Sequence, residues 1–98
     1  MADNREWHLY ILRCADRTFY CGIALDVDTR VLEHNAGRGP DYTARRRPVS
    51  LVYSEAHPTK SAACKRERQV KRWGRAKKEQ LVRGFPSTQS GGALIRSG

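Results

Sequence analysis

Carboxylates are in short supply in this chain: its 98 residues carry 10 Asp and Glu against 19 Lys and Arg, a formal net charge of +9. Cysteines are few as well. The three present, Cys14, Cys21 and Cys64, are odd in number and show no C-x-x-C spacing. With no signal peptide either, the pattern excludes a disulfide framework and implies free thiols in a reducing cytoplasm. His8, His34 and His57 have no ligand spacing with those cysteines, which argues against zinc. No apolar run approaches the roughly 20 residues needed to cross a bilayer. The basic stretch 60–83 lacks large apolar anchors apart from Trp73, so a membrane-surface role is disfavoured. There is no internal repeat, and the length suits one domain with one modest core.

What is abundant is positive charge, and it is unevenly placed. Residues 1–59 hold eight basic and eight acidic side chains, whereas 60–83 hold ten basic and two acidic. A field concentrated on one segment favours a polyanionic partner, although a solvated helix face produces the same pattern.

Trp7 to Cys14 sets Leu9 and Ile11 against His8, Tyr10 and Leu12, the alternation of a strand, and Thr18 to Ile23 is a second. If Ala15-Asp16-Arg17 forms a three-residue loop, Tyr10 opposes Gly22 and Tyr20 opposes Leu12. Both phenols then share one sheet face. A two-residue loop would put them on opposite faces. Asp26 is placed to cap a helix running to about Asn35, with Asp28 complementing its dipole and Gly37 as a left-handed stop. Residues 37–48 read as a loop rich in breakers and positive charge, and Val49 to Tyr53 as a buried third strand. Thr59 or Ser61 can start a second helix ending near Trp73, and Gly74 separates it from a third at about Ala76 to Arg83. The reading is one α+β domain, 1–84, followed by a flexible tail, 85–98.

Five side chains stand out against this background. Glu67 lies in the apolar stripe of Ala63, Val70 and Trp73 on an otherwise basic helix, where an unpaired carboxylate is costly. It could form an ion pair with Lys71, four residues on, or hold one divalent cation, since magnesium keeps its waters and needs only one or two carboxylates. Arg30 and His34 are neighbours one turn apart on the first helix. Arg30 can fork onto phosphate oxygens, and His34 can relay a proton or simply suit a helix C-terminus. Tyr10 and Tyr20 are ordinary strand aromatics unless a cation or a metal stabilises a phenolate, because free tyrosine titrates near about 10. Hydrolysis of a phosphodiester needs a water stripped of its proton and charge stabilisation on the phosphoryl oxygens, and this set contains residues for both. Lys65, Arg68, Lys71 and Arg72, with the loop arginines Arg45, Arg46 and Arg47, would hold a nucleic-acid backbone or merely solubilise the chain.

The motifs, taken in order, resemble those of the GIY-YIG nuclease superfamily, most closely its small stand-alone bacterial, UPF0213-like members. They are Leu9-Tyr10-Ile11, Tyr20-Cys21-Gly22, the D-x-x-x-R-x-x-x-H stretch Asp26 to His34, Tyr42-Thr43 with Arg46-Arg47-Pro48-Val49, Glu67, and Val70-Lys71-Arg72-Trp73. The resemblance covers residues 7 to 83. It implies a three-stranded antiparallel sheet flanked by three helices and one magnesium or manganese ion at Glu67. It also implies water activation by Tyr10 or Tyr20, and a transition state steadied by Arg30 with His34 assisting. The expected activity is endonucleolytic cleavage of nucleic acid in repair or processing, with DNA favoured over RNA, by a cytoplasmic monomer. A non-catalytic nucleic-acid-binding module on the same fold is the alternative. Larger relatives carry an asparagine late in the domain, whereas the last one here is Asn35.

Overall fold

The run Leu9-Tyr10-Ile11-Leu12 is apolar at every position, and a strand of that composition belongs where both faces are covered. The computed structural model, which describes residues 5–85, puts it there. Strand β1 (Trp7–Arg13) is central, with antiparallel neighbours β2 (Phe19–Ala24) and β3 (Ser50–His57) in the order β2-β1-β3. All four residues of the run are at most 1% exposed.

The first hairpin takes the three-residue form. The Cys14 amide donates to the Thr18 carbonyl at 2.9 Å, and Arg17 closes the loop at φ 72°, the left-handed position such loops require at their last residue. Asp16 Oδ1 accepts from the Thr18 amide at 3.1 Å and its hydroxyl at 2.6 Å, holding the turn. Tyr10 therefore pairs with Gly22 and Leu12 with Tyr20.

Helix α1 (Val27–Asn35) starts where Asp26 accepts from the Thr29 amide at 3.0 Å, and the chain leaves it through Gly37 at φ +82°. Helix α3 (Lys60–Lys71) is capped by Thr59, and α4 (Arg75–Arg83) follows Gly74. Between α1 and β3 there is one more element than the expected loop: α2 (Asp41–Ala44), a single turn opened by Pro40. Proline in front of a first turn surrenders no hydrogen bond, so this breaker also starts a helix.

The third strand differs from expectation too. It runs to His57 rather than Tyr53, and it is a half-buried edge rather than a fully covered strand. Its register slips between Ile11, opposite Tyr53, and Leu12, opposite Leu51, leaving Val52 as the extra residue. That bulge sends Leu51 to one face and both Val52 and Tyr53 to the other, so three consecutive apolar residues are packed without a second cover. Val49 sits just outside the ladder, where the Asn35 side chain replaces a strand partner. Its Oδ1 accepts from the Val49 amide at 2.7 Å and its Nδ2 donates to the Val49 carbonyl at 2.9 Å.

Two cores result. Tyr10, Leu12, Cys14, Ala24 and Val49 pack with Tyr20, Val27, Val31 and Leu51 beneath α1. Leu9, Ile11, Cys21 and Val70 pack with Trp73, Leu81 and Val82 beneath α3 and α4. The three cysteines are free thiols. Among the described residues no helix is long and apolar enough to cross a membrane. The expected tail lies outside the described residues except for Phe85, whose ring meets Tyr53 edge-on at 5.5 Å.

Candidate active site

The sheet face under α1 gathers the two phenols and the imidazole. Tyr10 projects from the middle of β1 with its oxygen 2.9 Å from Nε2 of His34, which comes from the last turn of α1 and is fully buried. Tyr20 lies diagonally across, its ring 6.5 Å from Tyr10 and 5.3 Å from His34. Tyr20 is only half-buried, whereas Tyr10 is 1% exposed. Gly22, opposite Tyr10, has no side chain to occupy the space the phenol takes.

The other imidazole nitrogen is also engaged. Nδ1 of His34 is 2.8 Å from Oγ1 of Thr43, and that hydroxyl lies 3.1 Å from the Pro40 carbonyl. Thr43 is fully buried on α2. Sequence reasoning noted Thr43 only as part of a motif and gave it no role. The breaker-rich stretch Gly37 to Pro40 was the only local signal that a backbone was being brought close to something.

Electrostatics separate the titratable groups. Burial drives the Tyr10 phenol well above its ordinary range, the neighbouring Tyr20 adds to this, and the Arg30 charge works against it. Burial also raises Tyr20, with Lys71 and Arg30 opposing and Glu67 reinforcing the shift. His34 is held below the usual imidazole range, first by burial and then by the Arg30 cation, and is neutral near pH 7. Arg30 itself is half-exposed on α1, with Nε 3.1 Å from Glu33 Oε1. Its guanidinium is within electrostatic reach of both phenols and of His34.

Glu67 arrives from the opposite layer. It stands on the flank of α3 that faces β2, about one fifth exposed, and its charge raises both Tyr20 and Cys21. Its Oε2 is 3.2 Å from Nζ of Lys71, the helical ion pair that is the ordinary role for such a residue. Among the described residues no three His, Cys, Asp or Glu side chains cluster, so the donor set does not suit zinc. A lone accessible carboxylate does suit a hard, water-rich ion such as magnesium or manganese.

The basic residues divide into two groups. In the loop, Arg46 is consumed by the protein itself: Nε donates to Asp16 at 3.0 Å, Nη1 donates to the Tyr42 carbonyl at 3.0 Å, and the guanidinium covers the Tyr42 ring at 3.9 Å. Arg47 donates to the carbonyls of Ala44 and Asn35 at 2.9 and 3.5 Å, while Arg45 is exposed. Lys65 and Arg68 on α3 and Arg72 at its C-cap have no ion pair among the described residues. They border an open depression of about 710 Å³ that also takes in Arg66 and Trp73, on the flank of α3 away from Glu67. Of the four expected phosphate contacts Lys65, Arg68, Lys71 and Arg72, Lys71 alone stands on the Glu67 side.

Comparison with known proteins shows the family to which the chain belongs. Residues 6–80 match the model of the GIY-YIG catalytic domain, and the chain belongs to that family. A UPF0213 protein of Natronomonas pharaonis is 51% identical over 77 residues, covering 79% of this chain and 91% of that one. A UPF0213 protein of Staphylococcus saprophyticus is 47% identical over 75 residues, covering 76% and 92%. The solution NMR structure of a UPF0213 protein from Bacillus halodurans superposes with a TM-score of 0.56 at 41% identity, covering 87% of this chain and 93% of that one. The three-stranded sheet and its flanking helices are common to both structures.

Proposed function

We propose that this protein is a divalent-metal-dependent endonuclease that hydrolyses phosphodiester bonds in DNA, in repair or processing. The observation that carries the reading is the 2.9 Å bond between the Tyr10 phenol and His34 Nε2. A phenol held neutral by burial cannot act as a base unless it can hand its own proton on, and Tyr10 has an acceptor for it. As a water oxygen forms its bond to phosphorus, the water proton passes to the Tyr10 oxygen and the Tyr10 proton passes to His34. The bond from phosphorus to the leaving oxygen breaks, and that oxygen takes a proton from solvent. Arg30, half-exposed beside the phenols, binds the non-bridging oxygens as a planar fork. Glu67 would hold one magnesium or manganese ion, which when bound supplies positive charge to the phosphoryl group. Lys71, on the Glu67 side of α3, holds the strand beside the site through a phosphate, and Lys65, Arg68 and Arg72, on the opposite flank, hold a more distant stretch of it, without reading bases.

A second assignment has its own support. Tyr20 is the phenol that solvent reaches, so it could contact the water while Tyr10 and His34 brace it from below. Substituting each tyrosine in turn separates the two.

The reading is tested by incubating labelled single- and double-stranded DNA and RNA with the protein in magnesium, manganese or chelator, beside Glu67→Gln and Arg30→Ala. Metal-dependent DNA cleavage that both substitutions abolish while binding persists supports it. Binding without cleavage under every condition would make the protein a nucleic-acid-binding module on a nuclease fold.

A further inference from the structure

We infer that Thr43 is a positioning residue that decides which nitrogen of His34 is free to receive a proton, and that position 39 is glycine so that it can. The inference deepens the proposed cleavage reaction and rests on Tyr10 and His34 acting as its proton acceptors.

The hydrogens of this buried chain can be assigned from one end. The Thr43 hydroxyl has one hydrogen to give, and in the inferred arrangement it goes to the Pro40 oxygen at 3.1 Å, which can only accept. Toward His34 it then has only a lone pair to offer, and Nδ1 at 2.8 Å must carry a hydrogen to meet it. A neutral imidazole protonated at Nδ1 is bare at Nε2. Tyr10 therefore donates to Nε2 across 2.9 Å, and a proton leaving the phenol has a place to go. In the other tautomer Nε2 would already hold a hydrogen and the exit would be closed.

The backbone makes the arrangement rigid. Pro40 precedes α2, and its carbonyl also accepts from the amides of Thr43 and Ala44 at 3.1 and 2.9 Å. Two backbone amides thus fix the Pro40 oxygen in place within one turn. Thr43 and His34 are both fully buried, so water cannot replace either partner. A Cβ at Gly39 would stand 2.5 Å from His34 Nδ1 and 2.9 Å from Thr43 Oγ1, forcing the two apart. A threonine needed only for packing would not require its neighbour to vacate the space around its hydroxyl.

The test reads the nitrogens directly, by long-range ¹⁵N–¹H NMR of the His34 ring in the labelled, metal-free protein. Wild type and Thr43→Ser are expected to show Nδ1 protonated and Nε2 bare. Thr43→Val, which keeps the shape and loses the acceptor, is expected to shift protonation to Nε2 or to a mixture of the two. In single-turnover DNA cleavage, the maximal rate of Thr43→Val is expected to fall at least about tenfold with the half-saturating enzyme concentration little changed, and Thr43→Ser to recover it. Protonation at Nε2 in the wild type, or an unaltered pattern in Thr43→Val, overturns the inference. If Thr43→Val does not fold, Thr43→Ala replaces it in the same measurement, and an unaltered nitrogen pattern there overturns the inference. A wild type that never cleaves DNA would sink the nuclease reading, while the nitrogen pattern would still judge Thr43.

Discussion

A Cβ added at Gly22 would stand 2.6 Å from the phenol oxygen of Tyr10 and 2.7 Å from its Cζ, with the two residues paired across β1 and β2. The absence of a side chain at one position is what allows the aromatic ring at the other to lie along the sheet and reach His34 24 positions away.

Gly22→Ala should therefore be destabilising by about 1–3 kcal/mol, because a buried ring fixed by a hydrogen bond has nowhere to move. Adding Tyr10→Phe should recover only part of this, since Cζ remains in the way once the oxygen is gone. Denaturant unfolding of the single and double variants measures it. A Gly22→Ala protein as stable as wild type would mean that the ring has room to shift.

Acid stability should depend on Glu55, which lies across the sheet from the candidate site. Its carboxylate accepts from the Tyr53 phenol at 2.5 Å, from His57 at 2.6 Å and from Arg66 at 2.8 and 3.3 Å. Burial alone would push its pKa up, but these donors outweigh burial and hold it below the usual carboxylate range. Burial, and then the Glu55 carboxylate, push the Tyr53 phenol up to about 12, with Arg66 opposing. A pKa lowered by folding gives stability that is complete above the unfolded value, about 4.3, and is lost as pH falls through the folded value. Glu55→Gln should cost about 1–3 kcal/mol at neutral pH and flatten the decline of stability below about pH 4. Parallel stability curves for the two proteins would contradict this.

Salt dependence should separate the two groups of basic residues. Charge reversal at Lys65, Arg68 or Arg72 should weaken duplex DNA binding and reduce the slope of log affinity against log salt by about 0.9 for each phosphate left without its cation. Arg46→Ala should act mainly on stability, because Arg46 is already committed to Asp16 and Tyr42. Binding titrations at several salt concentrations distinguish these outcomes. An unchanged slope after reversing all three α3 cations would remove them from the interface.

The sheet face shared by Tyr10 and Tyr20 was legible in the sequence only on condition of a three-residue loop, because period-two alternation and loop length together determine register, and the structure supplies that loop. Helix α1 was legible for the same kind of reason, since Asp26 and Gly37 are local signals for local events. The extent of β3 was not. A run such as Leu51-Val52-Tyr53 suits a strand buried on both faces as well as a bulged edge, and only the partner strand chooses between them. Thr43 was hidden more deeply. Its importance lies in a contact with His34 across a turn that no periodicity predicts. The separation of Glu67 from Lys65, Arg68 and Arg72 around α3 follows from helix geometry, yet which flank faces β2 depends on packing in three dimensions.

The most direct test of the account is the single-turnover rate of metal-dependent DNA cleavage by wild type, Tyr10→Phe and Tyr20→Phe at saturating enzyme. Removing the Tyr10 oxygen should lower the rate by about 10²–10⁴-fold with DNA affinity retained, and removing that of Tyr20 should do much less. Wild-type cleavage by Tyr10→Phe would contradict the account, and a loss confined to Tyr20→Phe would move the water to the outer phenol.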